Sequence, residues 1–187
     1  MARSRREHLV DTALELFSRE GYHATGIDRI LAEAGVAKMT LYNHFRSKDE
    51  LILATLRRRD ERFRNWFMRA VEGRAKTPRA RLSAIFDVLQ QWFDSKEFNG
   101  CTFINASAEF GRPDDPIHGA CAEHQQLVQG YLGELAAAAG ATDPEALAEQ
   151  LMLLMEGAIV MRHTAGRRDA AQKARGAAEI LVERALD

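Results

Sequence analysis

Cysteine is nearly missing from this chain: Cys101 and Cys121 are the two in 187 residues, which excludes a disulfide framework and a paired-thiolate zinc pattern. Long apolar runs are missing as well. No stretch approaches the roughly 18 uncharged apolar residues of a membrane span. Nothing near Met1 reads as a secretory leader, because Glu7, His8, Asp11 and Glu15 interrupt the first apolar residues. A cytoplasmic protein without a membrane partner is therefore expected. There is no alternating strand pattern and no low-complexity segment. A Gly-rich phosphate loop, a nucleophile elbow and a Glu-x-x-His bridge are all lacking. No catalytic residue, cofactor or metal is assigned, and an enzyme is not expected. Charge of one sign is not in excess either, with 26 basic against 27 acidic side chains. Its distribution is less even. Residues 1–64 hold 13 Lys and Arg against 10 Asp and Glu, a balance of +3, and the remainder balances at -4. The sign favours a polyanion at the N-terminal end.

What is present is helix punctuation. Leu9, Ala13, Leu16 and Phe17 repeat at helical spacing, and Gly21 ends the run. Thr25 reads as an N-cap with Asp28 three residues on, and Ile27, Ile30, Leu31 and Ala34 make one apolar face. Gly35 permits the left-handed turn that follows. A short helix is expected over Lys38–His44, anchored by Leu41 and Phe45. Ser47 with Glu50 then has the capping-box spacing for a long helix to about Gly73. Thr77-Pro78, Asp115-Pro116 and Asp143-Pro144 are three further starts, each a capping residue before a proline at the first helical position. With helices near Thr102–Phe110 and Arg168–Leu186, the reading is all-α, about nine helices.

Two short helices around a Gly-centred turn suit insertion into a DNA groove. If Leu41 and Phe45 face inward, then Lys38, Met39, Thr40, Asn43 and His44 face outward. Lys38 can donate to guanine, Asn43 can pair with adenine, and Met39 or the Thr40 methyl can meet a thymine methyl. Thr25, Tyr42, His44 and Lys48 lie at helix ends or flanks, where they can hold phosphates. Arg57, Arg58, Arg59, Arg62 and Arg64 read as a solvated helix face, with Asp60 and Glu61 as close-spaced partners.

Thr25-Gly26-Ile27, Ala34-Gly35-Val36, Thr40-Leu41-Tyr42-Asn43-His44-Phe45 and Ser47-Lys48-Asp49-Glu50-Leu51 stand in order. Together they resemble the DNA-binding domain of the TetR family of transcriptional regulators. The resemblance covers roughly the first 55 residues. It implies a DNA-binding domain over 1–50 and a ligand-binding and dimerisation domain over 51–187. It also implies a homodimer on a palindromic double-stranded operator, usually as a repressor, released by a small molecule in the C-terminal domain. The family often has Ser where this chain has Ala37 and Gly or Ala where it has Met39. Those two positions are where the family pattern loosens and its base preference is least predictable.

Aromatic residues concentrate between positions 63 and 110, which fits both a helical core and a ligand pocket with apolar walls. The pocket is assigned to Phe67, Phe86, Leu89, Trp92, Phe93, Phe103, Ser107, Phe110, Met152, Met155 and Glu156, for a small apolar or amphipathic ligand. Leu151–Met161 is apolar nearly all round, so Glu156 within it needs a partner, and Arg162 and His163 are near in sequence. Small residues in the last helix permit close approach of a second helix. By resemblance the last two helices pair with a second copy, through Leu151, Ile159, Ala174, Ala178 and Leu181. His118, Cys121 and His124, three apart, are the residue types of an alternative metal-binding or thiol-sensing protein.

Overall fold

The computed structural model describes residues 4–187, and among them there are nine α-helices and no strand. The described chain divides into two compact units. One is built from Met1–Arg62 with Thr102–His124 (described from Ser4), the other from Phe63–Cys101 with Gln125–Asp187.

The first unit begins with α1 (Arg5–Glu20), set by a capping box in which the Ser4 hydroxyl accepts from Glu7 N and the Glu7 carboxylate accepts from Ser4 N. Those bonds hold the Glu7 carboxyl below its ordinary range. Gly21, at φ 86°, ends the helix. α2 (Ile27–Ala34) starts from Gly26, which supplies no side-chain cap. Thr25, expected at that cap, is instead buried and donates its hydroxyl to Gly21 O at 2.6 Å. The His8 ring nitrogen Nε2 lies 3.0 Å from Ala34 O at the far end of α2. Gly35 then takes the left-handed conformation, φ 63°, and the chain re-enters helix at α3 (Lys38–Tyr42). α3 is two residues shorter than expected. Asn43 forms its C-cap, and the amides of His44 and Phe45 both donate to Leu41 O, which closes the helix instead of extending it.

α1, α2 and α3 pack on one another. Leu9, Ala13, Phe17, Tyr22, Ile30, Leu41 and Phe45 are buried among them, and the Phe17 and Tyr22 rings stack at 5.0 Å. At roughly 25 cal/mol per Å² of apolar surface removed from water, such a cluster outweighs the missing caps. α4 (Lys48–Arg74) starts where Ser47 Oγ accepts from Glu50 N. Its first half is tied to α1 by Arg58 to Glu7 at 3.3 Å and Arg62 to Asp11 at 2.9 Å. Two arginines of this stretch, Arg58 and Arg62, thus find acidic partners on another helix. α6 (Thr102–Glu109) and the start of α7 (Pro116–Ala139) complete the unit. Here Phe103 stacks on the His124 ring at 3.6 Å, and His124 Nδ1 lies 2.8 Å from Asp60 Oδ1.

In the second unit α5 (Pro78–Phe93) and α8 (Pro144–Ala165) each start on a side-chain cap followed by proline, as their sequences predict. α9 (Ala170–Leu186) packs on both. Phe67, Phe86, Leu89, Trp92, Phe93, Met152 and Met155 are buried in this unit. Arg162 does not pair with Glu156; it donates to Phe93 O at 3.1 Å and lies over the Phe98 ring at 5.3 Å.

Candidate nucleic-acid interface

Four residues of α3 and two of the turn after it make the outward surface of the helix-turn-helix. Leu41 and Phe45 are buried, which turns Met39 and Tyr42 outward at 70% and 44% exposure. Lys38, Asn43 and His44 are exposed and Thr40 is half-buried. At about 1.5 Å per residue α3 is about 7.5 Å long, short enough to lie within a major groove about 12 Å wide.

The surrounding charges are organised by short pairs. Arg29 bonds Glu33 at 2.6 Å, which holds the Glu33 carboxyl below its ordinary range, and also reaches Glu20 at 3.3 Å. Lys38 Nζ is 3.9 Å from Asp28, a solvated pair that a phosphate or base can displace at little cost. Lys48, at the start of α4, donates from Nζ to His23 O at 3.5 Å. The Thr25 hydroxyl is buried and already committed to Gly21 O inside the fold.

The ligand-pocket residues fall in both units. Phe67, Phe86, Leu89, Trp92, Phe93, Met152, Met155 and Glu156 belong to the second unit, and Phe103, Ser107 and Phe110 to the first. Burial raises the Glu156 carboxyl above its ordinary 4.5, and a hydrogen bond with the Gln125 side chain partly opposes this. Tyr131, edge-on to Phe67 at 6.2 Å, has its phenol pushed up to about 12 by burial, with Glu72 adding to it. In the first unit Ser107 donates its hydroxyl to Ile104 O at 2.9 Å.

Of the residues expected at a partner contact, Leu151, Ile159, Ala174 and Ala178 are buried within the second unit itself, and Leu181 is half-buried. The outward apolar side chains of the same helices are Leu153, Val160 and Met161 on α8 and Ile180 on α9. Between α8 and α9 runs a groove of about 410 Å³ lined by Leu153, Gly157, Met161, Lys173 and Ala177 among others.

His118, Cys121 and His124 are engaged separately. His118 Nδ1 lies 3.0 Å from Phe110 O, and His124 faces Asp60. Burial, with Asp115 nearby, pushes the Cys121 thiol up to about 11. Among the described residues no three His, Cys, Asp or Glu side chains converge on a point where a metal ion would sit.

A short helix presented by a glycine turn on a three-helix core defines a helix-turn-helix protein. Two family models match it: "Bacterial regulatory proteins, tetR family" over residues 9–55, and "Tetracyclin repressor-like, C-terminal domain" over residues 78–178. Over 89 residues the chain is 39% identical to the HTH-type transcriptional activator FasR of Mycolicibacterium smegmatis, a match spanning 46% of this chain and 41% of FasR. Against the transcriptional regulator AcuR of Cereibacter sphaeroides it is 29% identical over 162 residues, 82% of this chain and 74% of AcuR. The structure is similar to that of SCO4454, a TetR-family transcriptional regulator from Streptomyces coelicolor, with a TM-score of 0.90 and 33% identity over 98% of this chain and 96% of that one.

This chain belongs to the TetR family of bacterial transcriptional regulators. It is a DNA-binding helix-turn-helix protein and not an enzyme. Among the described residues no helix is long and apolar enough to cross a membrane.

Proposed function

We propose that the protein binds a palindromic operator as a homodimer, represses transcription from it, and is released by a small apolar or amphipathic molecule held in residues 51–187. The observation that carries the DNA part is the outward set Lys38, Met39, Thr40 and Asn43 on a helix whose opposite side, Leu41, is buried. These four read bases. Tyr42, His44 and Lys48 hold phosphates.

Support for the homodimer comes from the exposed apolar face of α8 and α9. A two-fold contact needs a surface complementary to itself. Leu153 and Ile180 protrude, and the groove over Gly157 and Ala177 offers the matching recess. On this reading the partner meets Leu153, Val160, Met161 and Ile180, while Leu151, Ile159, Ala174 and Ala178 hold the helices beneath. Release by a ligand is supported by a half-buried carboxylate, Glu156, on a helix whose inward side chains are Met152 and Met155. Such a carboxylate gives an otherwise apolar pocket a single orienting group. The repressing sense follows the family's usual habit.

Operator selection from random DNA tests the reading, with an enriched palindrome as the expected result. Binding to it should fall by about a thousandfold between 50 and 200 mM salt if six or more phosphates are contacted. Lys48→Ala should weaken every operator variant alike, whereas Asn43→Ala or Lys38→Ala should change which base is preferred. Equal losses on all variants for both classes refute the assignment of readers and anchors.

A further inference from the structure

A contact that reaches the helix-turn-helix from far along the chain is made by Glu109, the last residue of α6. Its Oε1 accepts from Tyr22 N at 2.8 Å and its Oε2 from His23 N at 2.7 Å. The two residues are 87 and 86 positions away in sequence. The His23 ring returns to the Glu109 backbone, with Nε2 3.0 Å from its carbonyl oxygen, and packs on Phe110 at 4.7 Å. Gly21 eases the approach, because a Cβ there would stand 3.2 Å from Glu109 Oε1, tighter than an ordinary contact. On the other side, His118 lies against Phe110 O and holds the end of α6 to α7.

This carboxylate is a fork across two successive amides of the α1–α2 turn. Hydrogen bonds to an ionised acceptor are roughly twice as strong as neutral ones. The same turn carries the His23 carbonyl that accepts from Lys48 Nζ. We infer that Glu109 is a positioning residue for DNA binding: through the backbone of His23 it fixes Lys48 where a phosphate of the operator meets it. The inference rests on the reading of Lys48 as a phosphate anchor. It makes α6 a part of the DNA-binding apparatus although no α6 residue stands in the recognition motif.

A double-mutant cycle on operator affinity tests it, using the full chain at one salt concentration, with circular dichroism to confirm that each variant is folded at the assay temperature. Glu109→Ala is expected to weaken binding about tenfold in the native background, the size of one charge-assisted bond lost from the bound arrangement. In the Lys48→Ala background the same change should cost less than about threefold, because its target is already gone. Glu109→Gln keeps one acceptor and should lose an intermediate amount; it replaces the alanine variant in the cycle if that one does not fold. An equal cost in both backgrounds makes Glu109 merely structural and overturns the inference. So does no cost in the native background while Lys48→Ala alone weakens binding. If Lys48→Ala leaves affinity unchanged, the anchor reading fails first, and the inference falls with it.

Discussion

Leu153→Ala separates the two faces of α8, and its cost can be worked from the structure. Leu153 is 73% exposed in the single chain, so about three quarters of its side chain remains to be buried by a partner. Full burial of a leucine side chain stabilises by about 1.5–3 kcal/mol, and the fraction still available here corresponds to about 1–2 kcal/mol. In a two-fold contact each substitution acts twice, so the dimer loses about 2–4 kcal/mol, or about 30- to 700-fold in its dissociation constant. Sedimentation equilibrium over a concentration series measures that constant directly. The thermal stability of the monomer should change little, since the residue contributes little to its own unit.

Leu151→Ala is the control two positions away on the same helix. Its side chain is fully buried, so the change leaves a cavity and should cost the fold about 2–5 kcal/mol. Its effect on the dimer constant, measured below the melting range, should be small. If Leu153→Ala dimerises as tightly as the native chain, the outward face of α8 is not the contact, and the argument from exposure is wrong.

Other substitutions test other parts of the fold. Gly100 sits at φ +76°, and a Cβ there would stand 2.9 Å from His163 Cγ; Gly100→Ala should therefore cost more than the roughly 1–2 kcal/mol of a left-handed non-glycine residue. Adding His163→Ala should recover the steric part in denaturant unfolding, and a strictly additive double variant would refute the clash. The Cys121 thiol, pushed up to about 11 by burial and by Asp115, should alkylate slowly at pH 7–8 and rise in rate only as pH approaches that value; rapid labelling of the folded protein at pH 7 contradicts this. Glu156 has its folded value raised above 4.5, because burial penalises its charged form relative to water. Stability from the neutral form is complete below pH 4.5 and is lost as pH rises through the folded value. Glu156→Gln should accordingly melt higher than the native chain at pH 7–8, with the gap closing below pH 4.5. A gap independent of pH refutes the desolvation argument.

The helix-turn-helix was legible because its determinants are local: a glycine at each turn, apolar residues three and four apart, and Leu41 and Phe45 fixing which side of α3 faces inward. The end of α3 was not, since the choice of Leu41 O as acceptor for two successive amides depends on how Phe45 is buried. The Thr25 hydroxyl shows the same limit, with a nearby cap available in sequence and a carbonyl four residues back chosen in the fold. Faces of α8 were the least legible. Where Leu151, Leu153, Ile159 and Val160 are all apolar, hydrophobic periodicity carries no phase, and only packing against α5 and α9 decides that Leu151 and Ile159 turn in. The ligand-pocket residues have the same difficulty, because a cavity is a property of side chains from several helices and not of any one run.

Charge illustrates the point in the other direction. The net charge of -1 conceals a DNA-binding protein partly because several acidic residues of the first unit are spent on architecture. Glu7 caps α1 and meets Arg58, Asp11 meets Arg62, Asp60 meets His124, and Glu109 grips the amides of Tyr22 and His23. A carboxylate paired with an arginine, as Glu7 and Asp11 are, adds little field at the outward surface, where Lys38 and Lys48 stand. Counting residues weighs a committed carboxylate and an exposed ammonium equally, although only the second is in place to meet a phosphate. The electrostatic footprint for DNA is therefore set by which charges the fold leaves facing outward. That is why α6, through Glu109, bears on binding at a distance of more than eighty residues.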